Sequence, residues 1–231
     1  MLLVALAGTV GLTLTGWLLG IACGVATFVA LTRGLDRFAA ATLGPADRVT
    51  LVRATLVGAV AALMADAFVR PAVVPALVTL SVVALVLDAV DGWVARRTGT
   101  ASPLGARFDG EVDAFLILVL SVYVSRAIGP WVLAIGAARY LFLAAGWLLP
   151  WMRAPLPPRY WRKSVAAIQG IALTVAAADV LPQRGIEAVL VVALGLLSES
   201  FGRDVWWLRR ESARSPAIAK RRRIAVSLVR Y

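Results

Sequence analysis

The sequence predicts an all-α, multi-pass integral membrane protein, and three observations carry that prediction. Of its 231 residues, 61% are hydrophobic, well above the roughly half expected of a soluble domain. The apolar residues collect into runs that approach the ~20 residues a helix needs to span a bilayer. Basic residues gather in alternate connections between those runs, the pattern of a chain that crosses a membrane repeatedly.

Taken in order, residues 1–32 carry no charged side chain. They read as an uncleaved transmembrane helix over about 5–32, because a signal peptide would start with basic residues and have a shorter apolar stretch. Residues 33–49, "RGLDRFAAATLGPADRV", are too charged to cross. They are expected to lie in the interface as an amphipathic helix, with Leu35, Phe38, Ala39 and Leu43 toward lipid. Further spans are expected at 50–69, 72–92, 107–127, 130–150, 164–181 and 186–207, making seven. Pro71 and Pro75, "SRAIGP" ending at Pro130, and "LPQRG" at 181–185 punctuate three connections whose basic residues are Arg70, Arg126 and Arg184. Nearly all other basic residues lie in the alternate connections and in the tail at 209–231, which contains "KRRR" from Lys220. The arginine-rich side and the carboxy terminus are therefore expected in the cytoplasm, with the amino terminus outside, as in a plasma or inner membrane. The tail is expected to rest on anionic headgroups.

Lys and Arg total 24 against 13 Asp and Glu, a net charge of +11. A nucleic-acid binder carries such charge on a solvated face. Here it lies between apolar spans, so no nucleic-acid partner is expected, and a membrane surface or an anionic substrate explains it better. Cys23 is the single cysteine and there is no histidine. That excludes a disulfide framework, a Cys/His zinc site and His-based catalysis. A metal would have to be held by carboxylates, which favours magnesium, manganese or calcium.

The stretch "LDAVDGWVARRTGTASPLGARFDGEVDAF", Leu87 to Phe115, holds five carboxylates. On a helix, Asp88 and Asp91 lie one turn apart with Ala95 on the same face. Gly99, Ser102, Pro103 and Gly105 then supply turn and helix-start signals. Asp109 and Asp113 share one face of the next helix, from which Glu111 points away, so Glu111 has no expected catalytic role. Two antiparallel helices would thus present four acids to one another. Alone these would repel, whereas divalent metal with substrate phosphate would satisfy them. A cap explains Asp109 or Glu111 without chemistry. It does not explain Asp88 and Asp91 at the end of an apolar run, where acids are costly.

The spacing D-x2-D-G-x2-A-R-x8-G-x3-D-x3-D resembles the signature of the CDP-alcohol phosphotransferases. Asp88, Asp91, Gly92, Ala95, Arg96, Gly105, Asp109 and Asp113 fill all eight defined positions. The resemblance implies a six-helix membrane enzyme, usually a homodimer, preceded here by one additional helix. The chain would then divide into an extra transmembrane helix (1–32), an interfacial segment (33–49), a catalytic membrane domain (50–208) and a basic tail (209–231). It implies that an alcohol acceptor takes the phosphoryl-lipid part of a CDP-linked donor, such as CDP-diacylglycerol, and that CMP leaves, a step of phospholipid synthesis. It implies that Asp88, Asp91 and Asp109 hold two Mg²⁺ or Mn²⁺ ions. Asp113 would complete that site and act as the base on the acceptor hydroxyl. Gly92, Ala95 and Gly105 would make room for cytidine, and Arg96 would help bind the nucleotide.

Other positions fit less completely. "DRVTLVRATL" resembles the family's N-x2-T-x2-R pattern at Thr50 and Arg53, with Asp47 in place of Asn. These are nucleotide-binding candidates, although Arg53 alone also reads as a positive-inside anchor. Arg139 lies in the middle of an apolar run and needs a polar partner or cavity; it is read as an anion contact. The family's K-x2-T-x2-Q pattern is met at Lys163 and Gln169, with Ala166 in place of Thr. Arg139, Arg153, Arg159, Arg162 and Lys163 together suit an acceptor phosphate. A phosphorylated polyol, such as glycerol phosphate or inositol phosphate, is the favoured acceptor; a neutral or amino alcohol or phosphatidylglycerol is the alternative. A small cation transporter with an acidic site is the reading from another class. Its acids would lie near the midplane, often with an internal repeat, and no repeat is visible.

Overall fold

The computed structural model describes residues 1–38, 44–98, 103–154, 156–157 and 160–228. Among them eight α-helices form and no strand: α1 (Leu2–Thr9), α2 (Leu14–Phe38), α3 (Pro45–Asp66), α4 (Val74–Thr98), α5 (Pro103–Ile128), α6 (Leu133–Leu148), α7 (Tyr160–Ala178) and α8 (Gln183–Leu228). The all-α expectation holds. α2, α3, α4, α6 and α8 contain segments long and apolar enough to cross a membrane. The predicted spans at 107–127 and 164–181 fall on α5 and α7, whose polar residues belong to the site described below.

The amino-terminal span departs from expectation. Instead of one helix over 5–32, the chain breaks between α1 and α2. Gly11 adopts φ 72°, a conformation open to glycine, and the amides of Val10 and Gly11 both donate to the Leu6 carbonyl. Thr13 then caps α2, its hydroxyl accepting from the Gly16 amide. Asp66, buried at the end of α3, fastens this break. Its carboxylate accepts from the Thr13 amide at 3.1 Å, from the Thr13 hydroxyl and from Arg70 at 2.8 Å. Arg70 also donates to the carbonyls of Val10 and Gly11. A run of apolar residues conceals such a break, because the bilayer rewards hydrophobicity whether or not the helix is continuous.

Residues 33–38, expected in the interface, continue α2, and 45–49 open α3; Ala39 and Leu43 lie outside the described residues. Pro45 begins α3, where its missing N–H costs nothing, and the Asp47 carboxylate accepts from the Gly44 amide at 3.0 Å. The tail beyond residue 208 is continuous with α8 to Leu228.

α3 is the hub, packed against α2, α4 and α5. Val57, Val60 and Ala61 on it are buried, with Leu77 and Ala84 of α4, Leu116 and Leu120 of α5, and Leu173 and Leu190 of α7 and α8. α5 and α6 approach closely at Gly136, where a Cβ would lie 2.8 Å from the Leu118 Cα. At the end of the bundle away from the acids, Arg126 donates to the Ala67 carbonyl and stacks 4.5 Å over Phe68. Arg70 and Arg126 pin that end.

Candidate functional site

Helical spacing predicts that four acids face one another, and α4 and α5 bring them together. Asp88 and Asp91 lie on α4, Asp109 and Asp113 on α5. Asp88, Asp91 and Asp109 each offer an oxygen within 4.8 Å of the others. Gly92 and Gly105 stand on the same two helices, beside the acids. The Ala95 and Arg96 side chains lie outside the described residues.

Arg53 occupies the centre of this group. It projects from the buried face of α3 and is 1% exposed. Its Nη1 lies 2.7 Å from Asp91 Oδ2 and 3.2 Å from Asp88 Oδ1, and it also pairs with Asp109, while Nη2 pairs with Asp113. Its Nε donates to the Ala84 carbonyl at 3.2 Å, which fixes the guanidinium plane. Thr50, one turn earlier, donates to Asp91 at 3.2 Å. Thr50 and Arg53, expected to contact the nucleotide, both lie among the acids. A rigid guanidinium suits this position, since its fixed fork of donors serves several carboxylates at once.

The four acids still exceed what Arg53 satisfies. Asp88 Oδ1 is buried with no hydrogen-bond partner among the described residues, despite its ion-pair distance to Arg53. Clustered carboxylate oxygens with an unsatisfied buried lone pair fit a hard divalent cation. The donor set contains no sulfur or imidazole, which disfavours zinc or copper.

Beside the acids opens a cavity of about 850 Å³, bounded by α5, α6, α7 and α8. Asp109 and Asp113 form one wall, and Arg139, Arg162 and Lys163 another. Lys163 Nζ lies 3.7 Å from Asp109 Oδ2, so the basic wall meets the acidic cluster. Arg139 has the partner its position demanded: its Nη2 donates to Glu111 at 2.8 Å, while its Nε is buried without a partner among the described residues. Glu111 lines a different cavity from Asp109 and Asp113.

One predicted acceptor contact, Arg153, does not line this cavity. Arg153 donates to the Gly146 and Trp147 carbonyls at 2.9 Å each, closing the end of α6. Arg159 lies outside the described residues. Sequence reasoning also passed over Ser200 and Asp204 of α8, both buried and both lining the cavity. Asp204 Oδ2 lies 3.6 Å from Arg162 Nε. An acid inside the apolar segment 186–207 was the signal that marked it. Gln169, fully buried, gives its amide N–H to the Ala193 carbonyl at 2.8 Å and leaves Oε1 without a partner among the described residues.

The sequence profile of the CDP-alcohol phosphatidyltransferase family matches residues 43–198, the stretch from the start of α3 into α8. An archaetidylinositol phosphate synthase of Aeropyrum pernix is 48% identical to the chain over 60 residues. That likeness covers 26% of this chain and 29% of the relative. No solved structure matches.

Proposed function

The chain belongs to the CDP-alcohol phosphatidyltransferase family and is a multi-pass membrane transferase, and on that premise we propose that it moves a phosphatidyl group from CDP-diacylglycerol to inositol phosphate or a similar phosphorylated polyol. The observation that carries this reading is the cavity in which Asp109 and Asp113 face Arg139, Arg162 and Lys163. It offers a base and an acidic cluster on one side and phosphate-binding cations on the other. The likeness over 60 residues to an archaetidylinositol phosphate synthase supports this reading.

In this reading Asp88, Asp91 and Asp109, with Asp113, hold two Mg²⁺ or Mn²⁺ ions, which when bound neutralise the donor's pyrophosphate. Asp113 takes the proton from the acceptor hydroxyl, because with no histidine in the chain a carboxylate is the available base. The acceptor oxygen bonds to the lipid-bearing phosphorus, the bond to the CMP oxygen breaks, and CMP leaves. Lys163 and Arg162 bind the acceptor's own phosphate and orient the hydroxyl toward Asp113. Asp204, Ser200 and the Gln169 carbonyl oxygen line the cavity as acceptors for further hydroxyl groups, which a polyol supplies and a simple alcohol does not. The excess of basic residues in the connections at the acidic end supports a cytoplasmic active site.

The test is CMP release by purified, detergent-solubilised protein given CDP-diacylglycerol and Mg²⁺ or Mn²⁺. Inositol phosphate, glycerol phosphate, inositol, serine and phosphatidylglycerol are supplied in turn, beside an Asp113→Asn control. CMP that depends on a phosphorylated polyol and vanishes in the control is the expected result. Release with serine or inositol alone would overturn the acceptor assignment.

A further inference from the structure

A second cavity, of about 410 Å³, lies on the other side of α5. Phe108, Val112 and Phe115 line it, one face of the helix, whereas Asp109 and Asp113 point into the catalytic cavity from another. Its opposite wall is α2, through Cys23, Ala26 and Ala30. α2 precedes the region that matches the family, so the groove is an addition to the shared core.

The groove follows from how α2 meets α3. Near the start of α2 the two helices touch: a Cβ on Gly16 would lie 3.1 Å from the Ala62 carbonyl oxygen, and one on Gly58 of α3 would lie 3.3 Å from the Cys23 Cβ. From Cys23 to Gly34 the small residues of α2 line open space instead. At the acidic end the groove is rimmed by Arg33 and Arg107, both exposed, and Arg107 also lines the catalytic cavity. Glu111 stands at the same level, with its charge paired to Arg139.

We propose that this groove holds one hydrocarbon chain of the CDP-linked lipid donor, with Arg33 and Arg107 beside its phosphates. The proposal rests on the donor reading above. Away from the charged end at Arg33, Arg107 and Glu111 the lining is mainly apolar, so a hydrocarbon chain fits there where a polar ligand does not. An apolar cavity of about 150 Å³ takes a benzene molecule, and by that scale this groove takes a single chain of roughly sixteen carbons. The arginine rim supplies the charge an anionic headgroup requires. Arg107 lines both cavities, so a phosphate held at this rim lies at the edge of the cavity that Asp109 and Asp113 line.

The test fills the groove. A26W and A30W are compared with V25W and F28W, which alter exposed neighbours outside the lining. Filling should raise KM for a long-chain CDP-lipid by about tenfold, the burial of roughly two methylenes. KM for the acceptor and for a four-carbon-chain donor should not change, nor should either control. An unchanged long-chain KM, or an equal rise for the short-chain donor, would overturn the proposal. Wild-type protein provides a second readout: a donor with a diazirine in its chain should label α2 between Cys23 and Gly34. Unlabelled CDP-lipid should suppress that labelling and excess phosphatidylcholine should not. Suppression by both would identify a groove for bulk lipid and overturn donor binding. If wild-type protein releases no CMP with any CDP-lipid, the donor reading fails. CMP release without specific α2 labelling removes the groove alone.

Discussion

Arg53 Nη1 lies 2.7 Å from Asp91 Oδ2, at the centre of four carboxylates drawn from two other helices. The pair joins α3 to α4 inside the bundle, and both residues are almost wholly buried. It makes one arginine the internal counter-charge of the whole acidic site.

Removing that arginine should unfold the site before it alters chemistry. Arg53→Ala leaves buried acids uncompensated, a loss of about 3–5 kcal/mol, read as a lower thermal midpoint in detergent. Millimolar Mg²⁺ should raise the midpoint of the variant more than that of the wild type. Equal stability with and without the side chain would show that Arg53 does not hold the acids together.

Asp113→Asn should preserve the fold and lower turnover by about 10²–10⁴, the range of a general base. CMP binding, measured by calorimetry, should persist. Asp91→Asn should instead weaken divalent-ion binding itself, which calorimetry on the unliganded protein reads directly.

The two cationic groups separate by position. Lys163→Met should raise KM for a phosphorylated acceptor by about tenfold, as expected for a charge-assisted hydrogen bond, with little effect on KM for the donor. Arg153→Ala should leave acceptor KM unchanged, because that guanidinium serves the end of α6.

Gly136→Ala would drive a methyl group against the Leu118 backbone and the Ser121 side chain. Backbone yields less readily than a side-chain tip, so α6 must shift from α5 at a cost of about 1–3 kcal/mol. Thermal unfolding measures it. Gly146→Ala, with open space around it, is the silent comparison.

Asp66→Ala should free the amino-terminal break from α3. Hydrogen exchange at residues 10–16 should accelerate by about tenfold while exchange in α5 stays the same.

The acids were legible because their spacing is short-range: three and four residues place them on one helix face before any packing is known. The need of Arg139 for a partner was legible for the same reason, since a lone intramembrane charge declares itself. What the spacing does not carry is which third helix enters between α4 and α5. Arg53 therefore read as a nucleotide contact or a topology signal, and its place among the acids became visible once α3 proved to be the hub. The break at Gly11 was hidden by a run that is apolar on both sides of it. Asp204 was passed over because the family pattern stops short of it, although an acid within an apolar segment should itself have drawn notice.

Arg53 also bears on how such a site enters a bilayer at all. Synthesis proceeds from the amino terminus, so α3 with its guanidinium precedes every one of the four acids of α4 and α5. The cation is thus already in place when each carboxylate arrives, and helices that would be unwelcome in hydrocarbon alone find their partner waiting. The order of the genetic message, and not only the final geometry, lets a highly acidic cluster assemble in oil.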